Sequence, residues 1–372
     1  MPRFVFHIAR DYITLTKIVL LFAAKRRPVY EFFTCFFADS AANFNFKFSQ
    51  KLPLEKIRFL TYNRFMVFTI LGSGTSHGVP VIACKCKVCT SQDANDRRLR
   101  ASALITNEAG GKTTRVLIDV GPDFREQALR AKIPSLDLIL LTHGHADHLH
   151  GLDDIRIFSH TKVPHSSTKV DDAAKNAPPE GIHIFANAET RKIVRLHFDY
   201  IFKRTQVGGG KPRIKLLRGE SLAPKNPLEI GGMQIISIPL KHGKVDCLGY
   251  LVSTRDGEGK KHSVAYLTDC NFIAQKSIDL ILENCGNLEH AVIDGLREKT
   301  HSTHFVFSQA LDVAEKIRPR HTWMTHMTHD KSHEEVKMYL EKILAEYPNL
   351  TEIVKSGGSV EPAYDGLELT VQ

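Results

Sequence analysis

The stretch LILLTHGHADHLHGLDD, residues 138–154, places four histidines and three aspartates directly after a run of aliphatic residues. Such a run is typical of a buried strand. Burying ionisable groups at the end of such a strand costs free energy unless the groups are paired or bind a metal ion. His143 and His145 are two residues apart, so they leave an extended strand end on the same side. Asp147 and His148 follow where the chain is expected to turn into a helix. Imidazole and carboxylate ligands together suit zinc, manganese or iron, and this segment could serve two ions.

Three later segments repeat the pattern of an apolar strand that ends on a metal-ligand residue. They are IISIPLKHG with His242, SVAYLTDC with Asp269, and HTWMTHMTHD with His326. A single histidine after a strand is usually an ordinary surface or core residue. The combination of H-x-H-x-D-H with three such strand ends is far more specific, and it predicts a metal centre built from several distant segments.

A second cluster, ACKCKVC, places three cysteines within six residues. Cys84, Cys86 and Cys89 could occupy three corners of a zinc tetrahedron, and the fourth ligand must then come from elsewhere. His329 is the candidate, because it lies three residues after His326 and one short turn could serve both metal centres. The alternative is a reduced, metal-free turn. Since the seven cysteines form no disulfide framework, a reducing and therefore cytoplasmic location is expected.

From Met66 onward, short β-branched or aromatic runs alternate with stretches that have helical character. Strands outnumber helices and occur in clusters, which favours an α/β (α+β) fold with two stacked sheets flanked by helices. Two stretches, 161–181 and 206–227, are predicted to be long surface loops. The predicted helices are 124–131, 189–202, 277–284, 304–317 with Thr303 as N-cap, and 332–346.

The first 65 residues differ from the rest of the chain in composition. They carry 11 Lys/Arg against 4 Asp/Glu, so +7 of the net +9 lies there and only +2 is left for residues 66–372. They also hold 12 of the 21 Phe, without a clean helical or strand period. Their longest apolar run, Ile18 to Ala24, is far shorter than the roughly 20 residues of a membrane-spanning helix. We therefore predict an N-terminal extension over 1–65, either disordered or a mis-assigned start, a separate folded domain over 66–372, and no membrane anchor.

The histidine and aspartate motifs resemble those of the metallo-β-lactamase superfamily, whose fold is a four-layer αββα sandwich with a dinuclear site at one edge of the two sheets. The resemblance implies that three histidines hold one ion, that an aspartate and two histidines hold the second, and that one carboxylate bridges the two. The first ion would be held by His143, His145 and His242. The second would be held by Asp147, His148 and His326, and the bridging carboxylate would be that of Asp269. Two divalent ions so placed would lower the pKa of a bridging water, so that a metal-bridging hydroxide could attack an electrophile.

Asp119, in VLIDVG, matches the first motif of the superfamily. The resemblance implies that its carboxylate orients a ligand histidine without touching the metal. The alternative is an ordinary turn residue at a strand end.

Within the superfamily, the chain resembles the phosphoribosyl 1,2-cyclic phosphate phosphodiesterases of the carbon–phosphorus lyase pathway over nearly all of 66–372. The resemblance is carried by GSGTSHGVP, THGHADHLHGL, PLKHGKVDCLGYL, AYLTD, THMTH and AYDGLEL. It implies manganese or zinc in the catalytic pair, a separate structural zinc on the cysteine cluster, and a small cyclic phosphate or nucleotide-like phosphodiester as substrate. The two long loops depart from the family pattern and leave the exact substrate open.

The same resemblance assigns two further catalytic residues besides Asp269. His304 would contact the phosphate or protonate the leaving alkoxide, with Asp294 close enough to orient it. At the expected start of a helix, His304 would also lie near free backbone N–H groups that favour phosphate. The alternative is a solvent-facing histidine at a helix cap. His301 and His77 are lesser candidates for the pocket.

Several other functions compete with this interpretation. An RNA-processing endonuclease like the tRNA 3′-processing enzymes shares the dinuclear site, but the near-neutral charge of 66–372 offers little of the footprint that nucleic acid requires, so this partner is possible but not favoured. A lactamase or thioester hydrolase fits the fold alone. The pyrroloquinoline quinone biosynthesis protein B shares a comparable cysteine cluster. A non-catalytic metal-binding module is the alternative from a different class, and a homodimer is possible.

Overall fold

The computed structural model describes residues 66–159, 181–203 and 210–372 and, within the first 65 residues, the backbone of three short strands. The chain divides into two compact units, Met1–Asn63 and Arg64–Gln372. In the first unit the three strands form an antiparallel sheet: β1 Ile18–Phe22, β2 Glu31–Cys35 and β3 Lys47–Phe48. That residues 1–65 are a disordered extension or a mis-assigned start stays a prediction.

The second unit is built from strands and short helices. Its strands are β4 Met66–Gly72, β5 Ser102–Ala109, β6 Lys112–Ile118, β7 Leu138–Leu140, β8 Ile182–Ala186, β9 Ile214–Arg218, β10 Leu228–Ile230, β11 Met233–His242, β12 Val245–Arg255, β13 Lys261–Leu267, β14 Asn287–Asp294, β15 His321–Thr325, β16 Ser359–Pro362 and β17 Glu368–Val371. Its α-helices are α1 Phe124–Arg130, α2 Ala146–Leu149, α3 Arg156–Ser159, α4 Ala188–His197, α5 Asp199–Phe202, α6 Gln275–Asn284, α7 Phe307–Ile317, α8 His333–Ile343 and α9 Pro348–Lys355. Among the described residues, none of the helices combines the length and apolar character that crossing a bilayer demands.

Two seven-stranded mixed sheets organise this unit. The first has the strand order β17-β4-β5-β6-β7-β8-β9, and its strands are antiparallel as far as β6 and parallel from β6 to β9. At its edge, Val371 of β17 lies opposite Met66 of β4. The second sheet runs from β10 to β16 in chain order, antiparallel as far as β13 and parallel beyond it.

The buried residues separate into three clusters that define four layers. Alternate residues of β4 point inward, and Phe68 packs on Tyr266 of the other sheet with ring centroids 5.7 Å apart, inside the cluster between the sheets. A second cluster joins the outer face of the first sheet to α1 and α4. A third joins the second sheet to α6, α7, α8 and α9. The arrangement is the αββα sandwich that the sequence predicts.

Three local predictions differ from the structure. The predicted loop 206–227 contains strand β9, which lies at the edge of the sheet. The strand was not predicted because its residues are only partly buried and follow a Gly- and Pro-rich stretch typical of a loop. The predicted helix 189–202 is interrupted at Phe198, and the other predicted loop, 161–181, lies almost entirely outside the described residues. The helix predicted from His304 begins only at Phe307. The backbone of Phe305 cannot be helical, because its N–H donates to the carbonyl of Cys270 and its carbonyl accepts from the N–H of Leu296.

Candidate metal centre

The carboxyl ends of strands from both sheets meet at one edge of the sandwich. Strand β7 leads to His143, β13 leads to Asp269, and β15 leads to His326. Strand β11 ends on His242 itself. Because parallel strands in a sheet end at the same edge, residues that are far apart in the sequence arrive together there.

All seven predicted metal ligands are brought together at this edge. His143, His145 and His242 form one group, and Asp147, His148, Asp269 and His326 form the other. Within each group the candidate ligand atoms lie within 4.8 Å of one another. The Asp269 carboxylate also lies 3.7 Å from Nε2 of His143, so it stands between the two groups, as a bridging ligand must.

The spacing of the ligand atoms fits metal coordination. Oδ1 of Asp269 lies 3.1 Å from Nε2 of His326, and Oδ2 lies 3.1 Å from Nε2 of His148. Oδ2 of Asp147 lies 3.3 Å from the same His148 nitrogen. Tetrahedral bonds of about 2.0 to 2.1 Å separate neighbouring ligand atoms by about 3.3 Å. The second group therefore has the dimensions of a single metal shell.

Hydrogen bonds fix which nitrogen two histidines of the first group present. Nδ1 of His242 donates to the carbonyl of Thr303 at 2.7 Å. The hydroxyl of Thr142 donates to Asp119, so it accepts from Nδ1 of His143 at 3.0 Å. Nε2 of both histidines is thereby left with a lone pair. Nδ1 of His145, 2.9 Å from Nε2 of His143, completes the first group.

Buried nitrogens without partners provide the test of whether a metal fits. His148 donates from Nδ1 to Asp119, whereas its Nε2 and both ring nitrogens of His326 form no hydrogen bond, although the two Nε2 atoms lie beside the Asp269 carboxylate. Both side chains are about fully buried, at 0% and 1% exposure. An unpaired buried polar atom is costly, and a cation shared with Asp269 would satisfy these nitrogens. The donor set therefore fits the implied metal pair.

The electrostatics agree with that fit. Burial lowers the pKa of His242 to about 4 and holds the pKa of His143 well below its ordinary value, so both imidazoles are neutral, as ligation requires. At His148 burial opposes the charged form, but the carboxylates of Asp269 and Asp147 outweigh it and raise the pKa well above its ordinary value. The protein thus concentrates buried negative charge that divalent cations would balance.

Three residues of the centre have a left-handed backbone. The φ angles are 59° for Asp119, 53° for Asp269 and 61° for His326. Such conformations cost of order 1 kcal/mol for a non-glycine residue and persist where the surrounding structure enforces them. The backbone is therefore strained at three residues of the centre, and no motif in the sequence predicts this strain.

The Asp294 and His304 side chains are adjacent to the same cluster. Nδ1 of His304 lies 2.8 Å from Oδ2 of Asp294, which also accepts the backbone N–H of Cys270 at 2.9 Å. The His304 ring stacks on His326 with centroids 4.6 Å apart and lies 4.5 Å from His242. Burial raises the pKa of Asp294 well above its ordinary value and lowers the pKa of His304, so burial disfavours the charged form of each group.

This geometry corrects the sequence-based account of His304. The residue is 8% exposed and precedes helix α7, so it is neither solvent-facing nor at the helix start. The expectation that His304 stands at a helix start is wrong, because α7 begins at Phe307. Of the lesser candidates, His301 is exposed with its ring 5.2 Å from that of His304, and His77 is exposed.

The cysteine cluster forms a second candidate site. The sulfurs of Cys84, Cys86 and Cys89 lie 3.4, 3.4 and 3.3 Å from Nδ1 of His329. Zinc bonds of about 2.3 Å to sulfur and 2.0 to 2.1 Å to nitrogen would separate such atoms by about 3.5 Å. The backbone N–H of Cys89 donates to the sulfur of Cys86 and lowers the pKa of that thiol to about 6, while burial raises the pKa of Cys89 to about 11. The set fits one zinc ion.

Sequence reasoning did not identify two of the groups that orient the ligands. Thr142 directly precedes His143 in the sequence, so its hydroxyl could have been predicted to orient that histidine. The carbonyl of Thr303 left no signal, because every residue carries one and only the fold brings it to His242.

Comparisons with known proteins agree with this architecture. The model of the β-lactamase superfamily domain matches residues 114–327. A crystal structure described as a new diphosphatase from the PhnP family is 34% identical, with a TM-score of 0.60, and the match covers 82% of this chain and 97% of that one. Zinc-bound PqqB from Methylobacterium extorquens is 16% identical with a TM-score of 0.54 over 82% of this chain and 99% of that one, a likeness of fold alone.

One curated relative has a different name. An octanoyltransferase of Porphyromonas gingivalis is 36% identical over 262 residues, which are 70% of this chain and 45% of that protein. The chain thus spans less than half the length of this relative. The superfamily match and the PhnP-family structure confirm the predicted fold and family. The chain belongs to the metallo-β-lactamase superfamily of hydrolases and, within it, to the PhnP family.

Proposed function

We propose that this protein is a dinuclear metal-dependent phosphodiesterase that acts on a small cyclic phosphate or a nucleotide-like phosphodiester. The observation that carries the proposal is the buried His304–Asp294 pair, stacked on the candidate metal ligands. A sugar alkoxide leaves poorly without a proton, whereas a thiolate leaves readily. A proton donor at this position therefore favours phosphodiester over thioester chemistry.

Each of the residues has a definable role. Bound divalent ions would activate water and neutralise charge on the phosphoryl group, with manganese or zinc in the pair and zinc on the cysteine cluster. Asp119 and Thr142 keep His148 and His143 in the tautomers that ligation needs. Asp294 accepts a hydrogen bond from Nδ1 of His304 and so orients the ring. Nε2 can pass a proton to the leaving oxygen only from the imidazolium form, which the negative charge of a bound phosphodiester would stabilise; the ring is then left neutral with its proton on Nδ1.

A second candidate is hydrolysis of a diphosphate, because the relative that is 34% identical is described as a diphosphatase. Both reactions break a P–O bond at the same centre. Acyl transfer has weaker support, since more than half of the octanoyltransferase lies outside the match. The cysteines that the structure describes are all free, which supports a cytoplasmic location.

The test uses the full-length protein with measured metal content and four substrates: ribose cyclic phosphate, a nucleoside diphosphate, an acyl thioester and a short RNA. We expect the cyclic phosphate to be hydrolysed fastest. Asp269→Asn should lose bound metal and at least ~10³ of the rate, since it removes the proposed bridge. Asp246→Asn is the matched control, because this aspartate is 73% exposed and pairs with Lys241. Faster turnover of the thioester or RNA, or an active Asp269→Asn variant, would refute the proposal.

A further inference from the structure

Arg98 is buried to an unusual degree for an arginine. Its side chain is 0% exposed, although burying a charge is costly unless partners compensate for it. Asp96, which is 4% exposed, supplies the opposite charge at 3.5 Å. Desolvation lowers the pKa of Arg98, and the guanidinium stays charged because its ordinary pKa is so high. The fold therefore maintains this charge in the interior at a cost.

The guanidinium holds one turn of the chain, which we call the two-ligand turn, residues 326–331. One Nη donates to the carbonyl of Thr328 and the other donates to the carbonyl of Lys331 at 3.0 Å. These carbonyls flank His329, the fourth residue of the candidate zinc site. His326, the candidate ligand of the catalytic pair, begins the same turn. Immediately beyond it, the N–H of His333 donates to Asp96 at 2.6 Å.

The backbone of Arg98 closes the loop that carries the three cysteines. Its N–H and carbonyl both pair with Val79, at 2.8 Å each. A side chain cannot be added at Gly74 beside it, because a Cβ there would lie 2.5 Å from the Arg98 carbonyl oxygen. Arg98 therefore lies between the base of the cysteine loop and the two-ligand turn.

We propose that Arg98 is a positioning residue that couples the two metal centres. By holding both carbonyls of the two-ligand turn, it keeps His326 at the catalytic pair and His329 at the zinc site simultaneously. Only a planar fork of donors reaches two carbonyls in a fixed geometry, so lysine cannot replace it fully. The inference rests on the metal centres proposed above, but not on the identity of the substrate.

The test measures metal binding rather than turnover. Apo-protein carrying Arg98→Gln or Arg98→Lys is titrated with cobalt(II). The thiolate charge-transfer band reports the cysteine site, and the weaker d–d bands at shorter wavelength, separated from the stronger thiolate-site d–d bands, report the histidine and aspartate site. Loss of the fork should weaken cobalt binding at both sites by roughly 10- to 100-fold in Arg98→Gln, with a smaller loss in Arg98→Lys. Arg100→Lys is the matched control, since this arginine is two residues away and pairs with Asp123 instead.

The outcomes separate the proposal from a purely structural role. If folded Arg98 variants bind cobalt at both sites within twofold of the unmodified protein, or if Arg100→Lys loses as much affinity, the proposal is wrong. If both Arg98 variants fail to fold, Arg98 serves global stability and the proposal is likewise overturned. Weakened cobalt binding in a protein that hydrolyses no phosphodiester would leave this inference standing while the proposed function failed.

Discussion

The carboxylate of Asp119 and the imidazole of His148 are joined by a 2.7 Å hydrogen bond in which neither side chain is exposed to solvent. The same carboxylate accepts the N–H and the hydroxyl of Thr142, each at 2.8 Å, and that hydroxyl accepts in turn from His143. One aspartate therefore orients a candidate ligand in each of the two groups. Its backbone is left-handed, with φ of 59°, a conformation that persists where the surrounding structure enforces it.

Replacing Asp119 with Ala should weaken metal binding in both groups, because His148 and His143 lose the bonds that select their tautomers. Outer partners of this kind typically contribute 10- to 100-fold in metal affinity, so roughly that loss is expected in a chelator-competition titration. Asp137→Asn is the control, since Asp137 is equally a buried acceptor on the first sheet, where it binds the N–H of Arg115 at 2.8 Å. An equal loss in the control would trace the effect to general destabilisation.

His304→Gln should change activity according to the leaving group. If His304 protonates the leaving oxygen, an alkyl or ribose phosphodiester should lose roughly 10² to 10⁴ in kcat. Bis(p-nitrophenyl) phosphate should lose far less, because nitrophenolate needs no proton to leave. Steady-state rates on both substrates with one protein preparation provide the internal control. Equal losses on both would show that His304 binds phosphate or metal rather than donating a proton.

The fold and the centre differ in how far the sequence reveals them. Strand ends carry ligand residues, so His242, Asp269 and His326 could be assigned from local pattern, and parallel strands then force them to one edge. The helix start near His304 could not be predicted, because long-range backbone pairing of Phe305 with Cys270 overrides a good local signal. The hydrogen bonds from Arg98 to the two-ligand turn could not be predicted either, since an arginine in a sequence is expected to lie on the surface.

Cys86→Ser should abolish zinc binding at the cysteine cluster and destabilise the protein. The loop from Val79 to Arg98 would then lose the link to His329 that a bound ion provides. Zinc content should fall by one ion per chain and the melting temperature should drop. Cys285→Ser is the matched control, because Cys285 lies outside both clusters. Unchanged zinc content in Cys86→Ser would contradict the structural zinc.

His290 should make the protein less stable in acid. Its Nε2 donates to the carbonyl of Thr370 at 2.9 Å, and Nδ1 accepts from the indole of Trp323 at 3.2 Å, so the neutral ring uses both nitrogens. Burial lowers the pKa of His290 to about 4, against roughly 6.5 in the unfolded chain. Between these values only the unfolded state binds the proton. Protonation of His290 therefore leaves the free energy of unfolding unchanged above about pH 6.5 and lowers it between pH 6.5 and pH 4, by roughly 3 kcal/mol at most.

Urea unfolding at pH 7, 6 and 5 checks this expectation. His290→Gln should be less stable at pH 7, where two hydrogen bonds are altered, but its stability should change less with pH. The comparison between the two proteins removes the acid sensitivity of the other histidines, which both share. Parallel stability curves for the two proteins would show that His290 does not contribute.

Strand β17 lies at the edge of the first sheet, with Val371 opposite Met66. Because β17 pairs with β4 although the other strands of both sheets lie between them in the sequence, β4 lacks this partner during synthesis until β17 has left the ribosome, and such an edge is a place where nascent chains can associate. The same adjacency makes the domain suitable for circular permutation. A short linker could join positions 66 and 371, with new ends opened in an exposed loop.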